Sequence, residues 1–415
     1  MNKGTVRRRT ALKWAMAPLA LGAGTISTGA AARQAGPEPE TLAEYANRLM
    51  AASGTPGISL AFGAGERPST LLALGRANVD TGMRVTEDTV FQAASISKMV
   101  FALAVLEFAR DGGIDLDRPM VSYLRPSYLP STSGIDSVTA WQVLSHSSGL
   151  PNWFDDQPQA GENPPIVPGR FRYSGEAYFW LQLVIEHLSG KGLNAFMQES
   201  LFAPAGMRSS AYVWDSSWAG RMAWGHEQGR VAADQGLRNV LEMVEPLAAE
   251  WGKPLGTWSH QEWLAAATRL DPDTSHSKIT FQNAAASLVC TAHDLYRFLR
   301  HAYRIMSRRR GAADDMFAPA IRVAQGVDNW WGLGCSLELR SGGGRIAGHE
   351  GNNFTFRAYA GIDLVTGEAL AILTNGDGGF GVYERLVRRI TGRDQLSFVA
   401  NLNPNHEFLE RGHAG

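Results

Sequence analysis

The run Met99–Ala109 is apolar on nearly every face, a pattern that folds as a helix enclosed by other elements. It stops at Asp111-Gly112-Gly113, a glycine terminus, and is too short to span a bilayer. Immediately upstream stands Phe91-Gln92-Ala93-Ala94-Ser95-Ile96-Ser97-Lys98. If helix begins here, Ser95 and Lys98 lie one turn apart on one face. A serine hydroxyl becomes a strong nucleophile only when a base takes its proton, and a desolvated lysine amine can be that base. At the helix N-terminus, orphan N–H groups and the dipole favour negative charge developing near Ser95.

Composition sharpens the reading of Lys98. Of the 39 basic residues, 33 are Arg and only 6 are Lys. A chain this rich in arginine uses lysine at Lys98, where deprotonation is available to lysine and not to arginine. Ser275-His276-Ser277-Lys278 repeats the spacing, but it follows Asp271-Pro272-Asp273 with no apolar run behind it and reads as a surface loop.

The chain has 415 residues, 44% hydrophobic and 19% charged, an ordinary globular composition. The net charge of −1 conceals Lys3, Arg7, Arg8, Arg9 and Lys13 in residues 1–32, which contain no acid; the remainder therefore carries about −6. That balance argues against nucleic acid or a polybasic membrane surface as partner. Arg8-Arg9-Thr10-Ala11-Leu12-Lys13, the mildly apolar Trp14–Ile26 and Ala30-Ala31-Ala32 resemble a twin-arginine export signal over 1–32. Residues 33–40 read as a linker. A periplasmic or secreted bacterial location follows as an expectation. The two cysteines, Cys290 and Cys335, fit either one disulfide or two buried thiols.

Periodicity predicts a helix over 41–53, strands over 56–62 and 71–74, and a short helix over 138–145. His146, in the Ser/Gly-rich turn that follows, is read mainly as satisfying backbone groups. A loop over 154–170 delivers Tyr173 to a strong helix over 177–188. Residues 214–263 hold six of the twelve tryptophans and fit plain core or an aromatic lid, with helices over 237–250 and 261–270. A helix–turn–helix is predicted over 284–303. A strand meander follows over 331–339, 345–348, 354–362 and 368–373, and a helix over 383–390 closes it.

Three pieces in order, Ser95-x-x-Lys98, Tyr173-Ser174-Gly175 and His349-Glu350-Gly351, resemble the serine hydrolases of the class C β-lactamase and D-alanyl-D-alanine carboxypeptidase family. Leu144–Pro151, Ala284–Asp294 and Leu373-Thr374-Asn375 add to the likeness, which covers about residues 41–392. The resemblance implies an α/β (α+β) sandwich of the β-lactamase/transpeptidase type. Its α/β part is expected over 41–109 and 291–392, with an inserted all-helical region over 110–290, a possible aromatic lid over 214–280 and a tail over 393–415.

The same resemblance implies that Ser95 is the acylated nucleophile, Lys98 its base and Tyr173 the proton shuttle. It assigns the oxyanion hole to the backbone N–H groups of Ser95 and Asn352. A buried amine beside a phenol is expected to keep both pKa values near neutral. His349 is expected to hydrogen-bond Tyr173 or the substrate. Gly175 stands where the family usually has an asparagine that holds an acylamide. Glu350 stands where a small or hydroxyl residue is common, and turned inward it would repel a carboxylate. With Gly351 these complete the candidate substrate-binding set. They point to an exported hydrolase of a small neutral or cationic ester or amide. Alternatives are a D,D-carboxypeptidase or weak β-lactamase and, from another class, an inactive binding or sensor protein. No cofactor is expected, and neither His349-Glu350 nor His226-Glu227 has a second histidine at metal-ligand spacing.

Overall fold

The computed structural model describes residues 40–154, 165–214, 216–235, 237–270, 282–323, 329–340 and 343–392. The expected export signal, linker and C-terminal tail, and the second Ser-x-x-Lys at 275–278, lie outside these.

The first helix, α1 (Leu42–Ser53), is fixed by a capping box: Thr41 accepts from the Glu44 N–H, and the Glu44 carboxylate accepts from the Thr41 N–H. The strands β1 (Gly57–Gly63), β2 (Thr70–Asn78) and β3 (Met83–Arg84) follow, then the short β4 (Phe91–Gln92), which runs into the long helix α2 (Ile96–Arg110). The inserted region carries α3 (Ala140–Leu144), α4 (Gly175–Ser189), α5 (Leu193–Met197) and α6 (Ala203–Ala205). After a hairpin of β5 (His226–Glu227) and β6 (Arg230–Val231) come α7 (Leu237–Trp251) and α8 (His260–Leu270). The strand β7 (Val289–Cys290) pairs with β4 and leads into α9 (Ala292–Ser307). The strands β8 (Ile321–Arg322), β9 (Asn329–Trp331), β10 (Ser336–Leu339), β11 (Arg345–Asn352), β12 (Arg357–Asp363) and β13 (Ala369–Thr374) precede α10 (Gly379–Thr391).

The main sheet is antiparallel, in the order β3-β2-β1-β13-β12-β11-β10-β9-β8. The two ends of the fold meet at β1 and β13, where Ile58 pairs with Thr374. One face is covered by α1 and α10 through Leu49, Leu60, Ile372 and Leu386. The other face packs on α2, α9 and the inserted helices. Helix α2 is buried from Ile96 through Leu106, which explains its apolar perimeter. Each Leu or Phe enclosed there contributes about 1.5–3 kcal/mol.

Several expected elements are corrected. The helix–turn–helix over 284–303 is a turn at 284–286, then β7, then α9; Asn283 starts the turn by accepting the Ala285 N–H and β4 captures the strand. The strand expected from Phe354 begins at Arg357, because 353–356 form a turn in which Phe354 has a φ of +56°. The insert is not all-helical, since it holds β5 and β6. Nor is the Trp-rich stretch simply a lid: Trp251 stacks on Trp258 at 4.8 Å, and Trp258 meets Trp263 edge-on at 5.2 Å, forming core between α7 and α8. Cys290 and Cys335 are both buried free thiols.

Candidate active site

Ser95 is the N-cap residue of α2, yet its hydroxyl makes no capping bond. The turn before it is held in an uncommon shape, with Ala94 buried at a φ of +50°, a conformation that costs an alanine on the order of 1 kcal/mol. Leu288 clamps that turn from both sides. Its carbonyl accepts the Ala93 N–H at 2.8 Å, and its N–H donates to Ser97 Oγ at 2.9 Å. The strain is thus set by tertiary contacts and presents Ser95 outward.

Lys98 is 2% exposed. Its Nζ donates to the Ala285 carbonyl at 2.9 Å and to Ser95 Oγ at 3.3 Å, and no acid pairs with it among the described residues. Burial lowers its pKa to about 7, because a low-dielectric interior disfavours the ammonium form. Tyr173 shares a side-chain hydrogen bond with Ser95, and Nζ of Lys98 lies 4.6 Å from its ring centroid. Burial raises the Tyr173 pKa, against a smaller opposing effect of the Ser95 bond. The expectation of two near-neutral groups therefore holds for the amine and fails for the phenol, which burial keeps protonated.

His349, on β11, lies with its ring centroid 6.1 Å from Tyr173 and 5.3 Å from Trp331. Its Nδ1 donates to the Glu350 carbonyl. Burial, then the Lys98 charge, lower its pKa to about 3, so the ring is neutral at physiological pH.

Glu350 is corrected. Side chains alternate along a strand, and Glu350 sits opposite Tyr359 on the α1/α10 face, near Tyr383. It is buried behind the sheet, so the repulsion of a substrate carboxylate expected from it is absent. Gly351 has a steric reason: a Cβ there would lie 2.3 Å from the Ala93 carbonyl oxygen. Only glycine lets β11 pass this close to the Ser95 turn. Beyond it, Asn352 lies on a stretch of β11 past the reach of β10, which pairs only with Arg345–Gly348. The Asn352 side chain accepts the Phe354 N–H at 3.0 Å and so serves the turn.

Gly175 opens α4, and its N–H donates to Asn152 Oδ1 at 2.9 Å. A Cβ on Gly175 would meet the indole of Trp153 at 2.4 Å. The space that a side chain at position 175 would take is filled by that aromatic ring.

His146 is completely buried at a φ of +53°. Its Nδ1 accepts the Ser174 N–H at 3.1 Å, which fits the backbone role expected of it. Its ring lies 4.3 Å from Tyr173 and 4.9 Å from Trp331, centroid to centroid. Sequence reasoning missed the Ala285 carbonyl, Leu288, Trp153 and Trp331. The first two act through backbone atoms, which leave no residue-type signal. Among the described residues, no group of His, Cys, Asp or Glu is placed to hold a metal ion, and no helix is long and apolar enough to cross a membrane.

A serine, a lysine and a tyrosine joined at one hydroxyl lie at the seam between an antiparallel sheet and an inserted, mainly helical region, in a β-lactamase/transpeptidase-like fold. The Beta-lactamase family pattern matches residues 42–393, and the chain belongs to that family. It is 24% identical over 343 residues to penicillin-binding protein 4 of Amycolatopsis lactamdurans, covering 77% of this chain and 81% of that one. It is 25% identical over 255 residues to esterase EstB of Burkholderia gladioli, covering 55% of this chain and 60% of the esterase. The β-lactamase/D-alanine carboxypeptidase structure from Pseudomonas syringae superposes with a TM-score of 0.62 at 16% identity, over 85% of this chain and 98% of that one.

Proposed function

We propose that this chain is an exported serine hydrolase that forms an acyl-enzyme on Ser95, acting on an ester or amide of a small molecule. The observation that carries the reading is the Ser95 hydroxyl held between the unpaired Lys98 amine at 3.3 Å and the Tyr173 phenol. A binding or sensor role requires no such grouping.

Neutral Lys98 takes the Ser95 proton as Oγ attacks the substrate carbonyl. The N–H groups of Ser95 and Asn352 receive the oxyanion. The Tyr173 hydroxyl gives its proton to the leaving oxygen or nitrogen and is reprotonated from Lys98. Water then attacks the acyl-enzyme, giving a proton to the same pair, and returns Ser95 as a hydroxyl with release of the acid. Because Tyr173 is a phenol in the resting state, it acts first as acid, and Lys98 alone is the initial base. Neutral His349 packs beside them as a hydrogen-bonding group.

Esterase chemistry is favoured over β-lactam turnover by Trp153 occupying the space beside Gly175. The carboxypeptidase or weak β-lactamase reading predicts covalent labelling by penicillin. The test is intact-protein mass after exposure to a fluorophosphonate, with Ser95→Ala as control. A panel of aryl esters, D-amino-acid amides and a chromogenic cephalosporin runs alongside. Labelling that Ser95→Ala abolishes, with ester turnover exceeding cephalosporin turnover, is expected. A folded wild type that neither labels nor turns over any of these substrates returns the chain to the binding class.

A further inference from the structure

Away from the Ser95–Lys98–Tyr173 cluster, Arg238 is a buried cation that forms no ion pair among the described residues. Arg238 is 7% exposed, and its guanidinium lies between two indoles, 4.6 Å from the Trp214 centroid and 4.0 Å from that of Trp224. Its Nε and Nη2 are buried and have no hydrogen-bond partner. These two atoms share one edge of the guanidinium, where their N–H bonds run parallel and match the two oxygens of a carboxylate. Arg238 also stands in the first turn of α7, where the helix dipole disfavours a cation and favours an anion. Glu242, one turn on, is exposed and exerts only a Coulombic pull on it. Stacking explains how the flat faces are held, but it leaves the edge unsatisfied, and buried unpaired charge is costly.

The stack packs near segments that lead to Ser95 and Asn352. Trp214 packs with Val90 and Val289, beside the paired β4 and β7 that lead to and clamp the Ser95 turn. The backbone of Gly225, next to Trp224, abuts Thr355 and Phe356 in the turn just after Asn352.

We propose that Arg238, stacked between Trp214 and Trp224, is an anion-recognition residue that takes a carboxylate of the substrate side-on through Nε and Nη2. Assigning that carboxylate to the substrate rests on the reading of Ser95 as nucleophile; the binding of the anion does not. Trp224 is only half-buried, so the ligand reaches the fork by displacing a single ring.

The experiment has two arms on the full chain. In the first, hexanoate and hexanol are titrated against wild type, Arg238→Met and Arg238→Lys, reading tryptophan fluorescence and thermal midpoint. Hexanoate is expected to change the fluorescence and raise the midpoint of wild type, hexanol to do neither at equal concentration, and Arg238→Met to lose the response. Arg238→Lys, which keeps charge without the fork, is expected to bind at least about tenfold more weakly. Equal responses of wild type and Arg238→Met, or of wild type and Arg238→Lys, overturn the site. In the second arm, mono-4-nitrophenyl glutarate is compared with 4-nitrophenyl pentanoate. The charged-to-neutral ratio of kcat/KM is expected to fall about tenfold or more in Arg238→Met. An unchanged ratio overturns the assignment to the substrate. If neither ester is hydrolysed and Ser95 does not label, the hydrolase reading fails while the fluorescence arm still decides on Arg238.

Discussion

The indole of Trp153 fills the space that a side chain on Gly175 would need, with a ring carbon 2.4 Å from the position of a Cβ. The Asn152–Phe154 segment is tied to the start of α4, since Asn152 accepts the Gly175 and Glu176 N–H groups and the Phe154 N–H donates to Glu176. Gly175→Asn alone therefore collides with the ring. Paired with Trp153→Ala, it restores an amide beside Tyr173. The double variant is expected to be acylated by benzylpenicillin about tenfold or more faster than wild type, the rate equivalent of one recovered buried hydrogen bond. Acylation no faster than wild type would mean that the ring does not limit this specificity.

Lys98 sets the pH dependence. Its pKa of about 7 places the acid limb of kcat/KM there, with activity rising as the amine loses its proton. His349, at about 3, and the raised Tyr173 add no limb between pH 5 and 9. Lys98→Arg is expected to lose 10²–10⁴-fold in activity, on the order of a general base. A limb near pH 7 that persists in a residually active Lys98→Met would assign it to another group.

The same shift has a signed effect on stability. Between pH 7 and the ordinary lysine range the unfolded chain holds the proton that the folded chain lacks, so stability rises with pH across that window. Below it, both states are protonated and the buried ammonium remains uncompensated. Lys98→Met is expected to gain more thermal midpoint over wild type at pH 6 than at pH 9. The opposite ordering in a melting series would contradict a buried amine.

His146→Leu removes the acceptor of the Ser174 N–H and puts a branched side chain at positive φ, for an expected loss of about 2–3 kcal/mol. His146→Asn keeps a carbonyl acceptor and tolerates that backbone, so its loss is expected to be smaller. Denaturant unfolding separates them, and both should lower kcat more than they raise KM if the ring positions Tyr173. Equal stability of all three proteins would remove this role.

Gly351→Ala places a methyl 2.3 Å from the Ala93 carbonyl oxygen. It is expected to cost about 1–3 kcal/mol and, by moving β11 off Ser95, about 10²-fold in kcat. Wild-type turnover in Gly351→Ala would mean that the spacing of β11 from the nucleophile is not critical.

Much of the fold was legible. The all-round apolar run announced a buried α2, the helical spacing of apolar residues marked α1, and apolar runs bounded by turn residues gave most of the sheet. Turns set by distant partners were harder to read. The 284–290 segment reads as helix from its alanines, and only its capture by β4 makes it a turn and a strand. Similarly, the six tryptophans carry one composition signal but divide into the α7/α8 core, the Val90 cluster and the Arg238 stack.

By itself the sequence determined the Ser95–Lys98 spacing, the order of the three motifs and hence the family, because short-range helical geometry and residue chemistry are local. Only the tertiary structure decided that Lys98 has no counter-ion among the described residues, that Tyr173 is a phenol, that Glu350 faces away and that Arg238 is buried between two rings. Each of these depends on desolvation and on neighbours far apart in the chain, and burial, unlike spacing, exists only once the chain has folded.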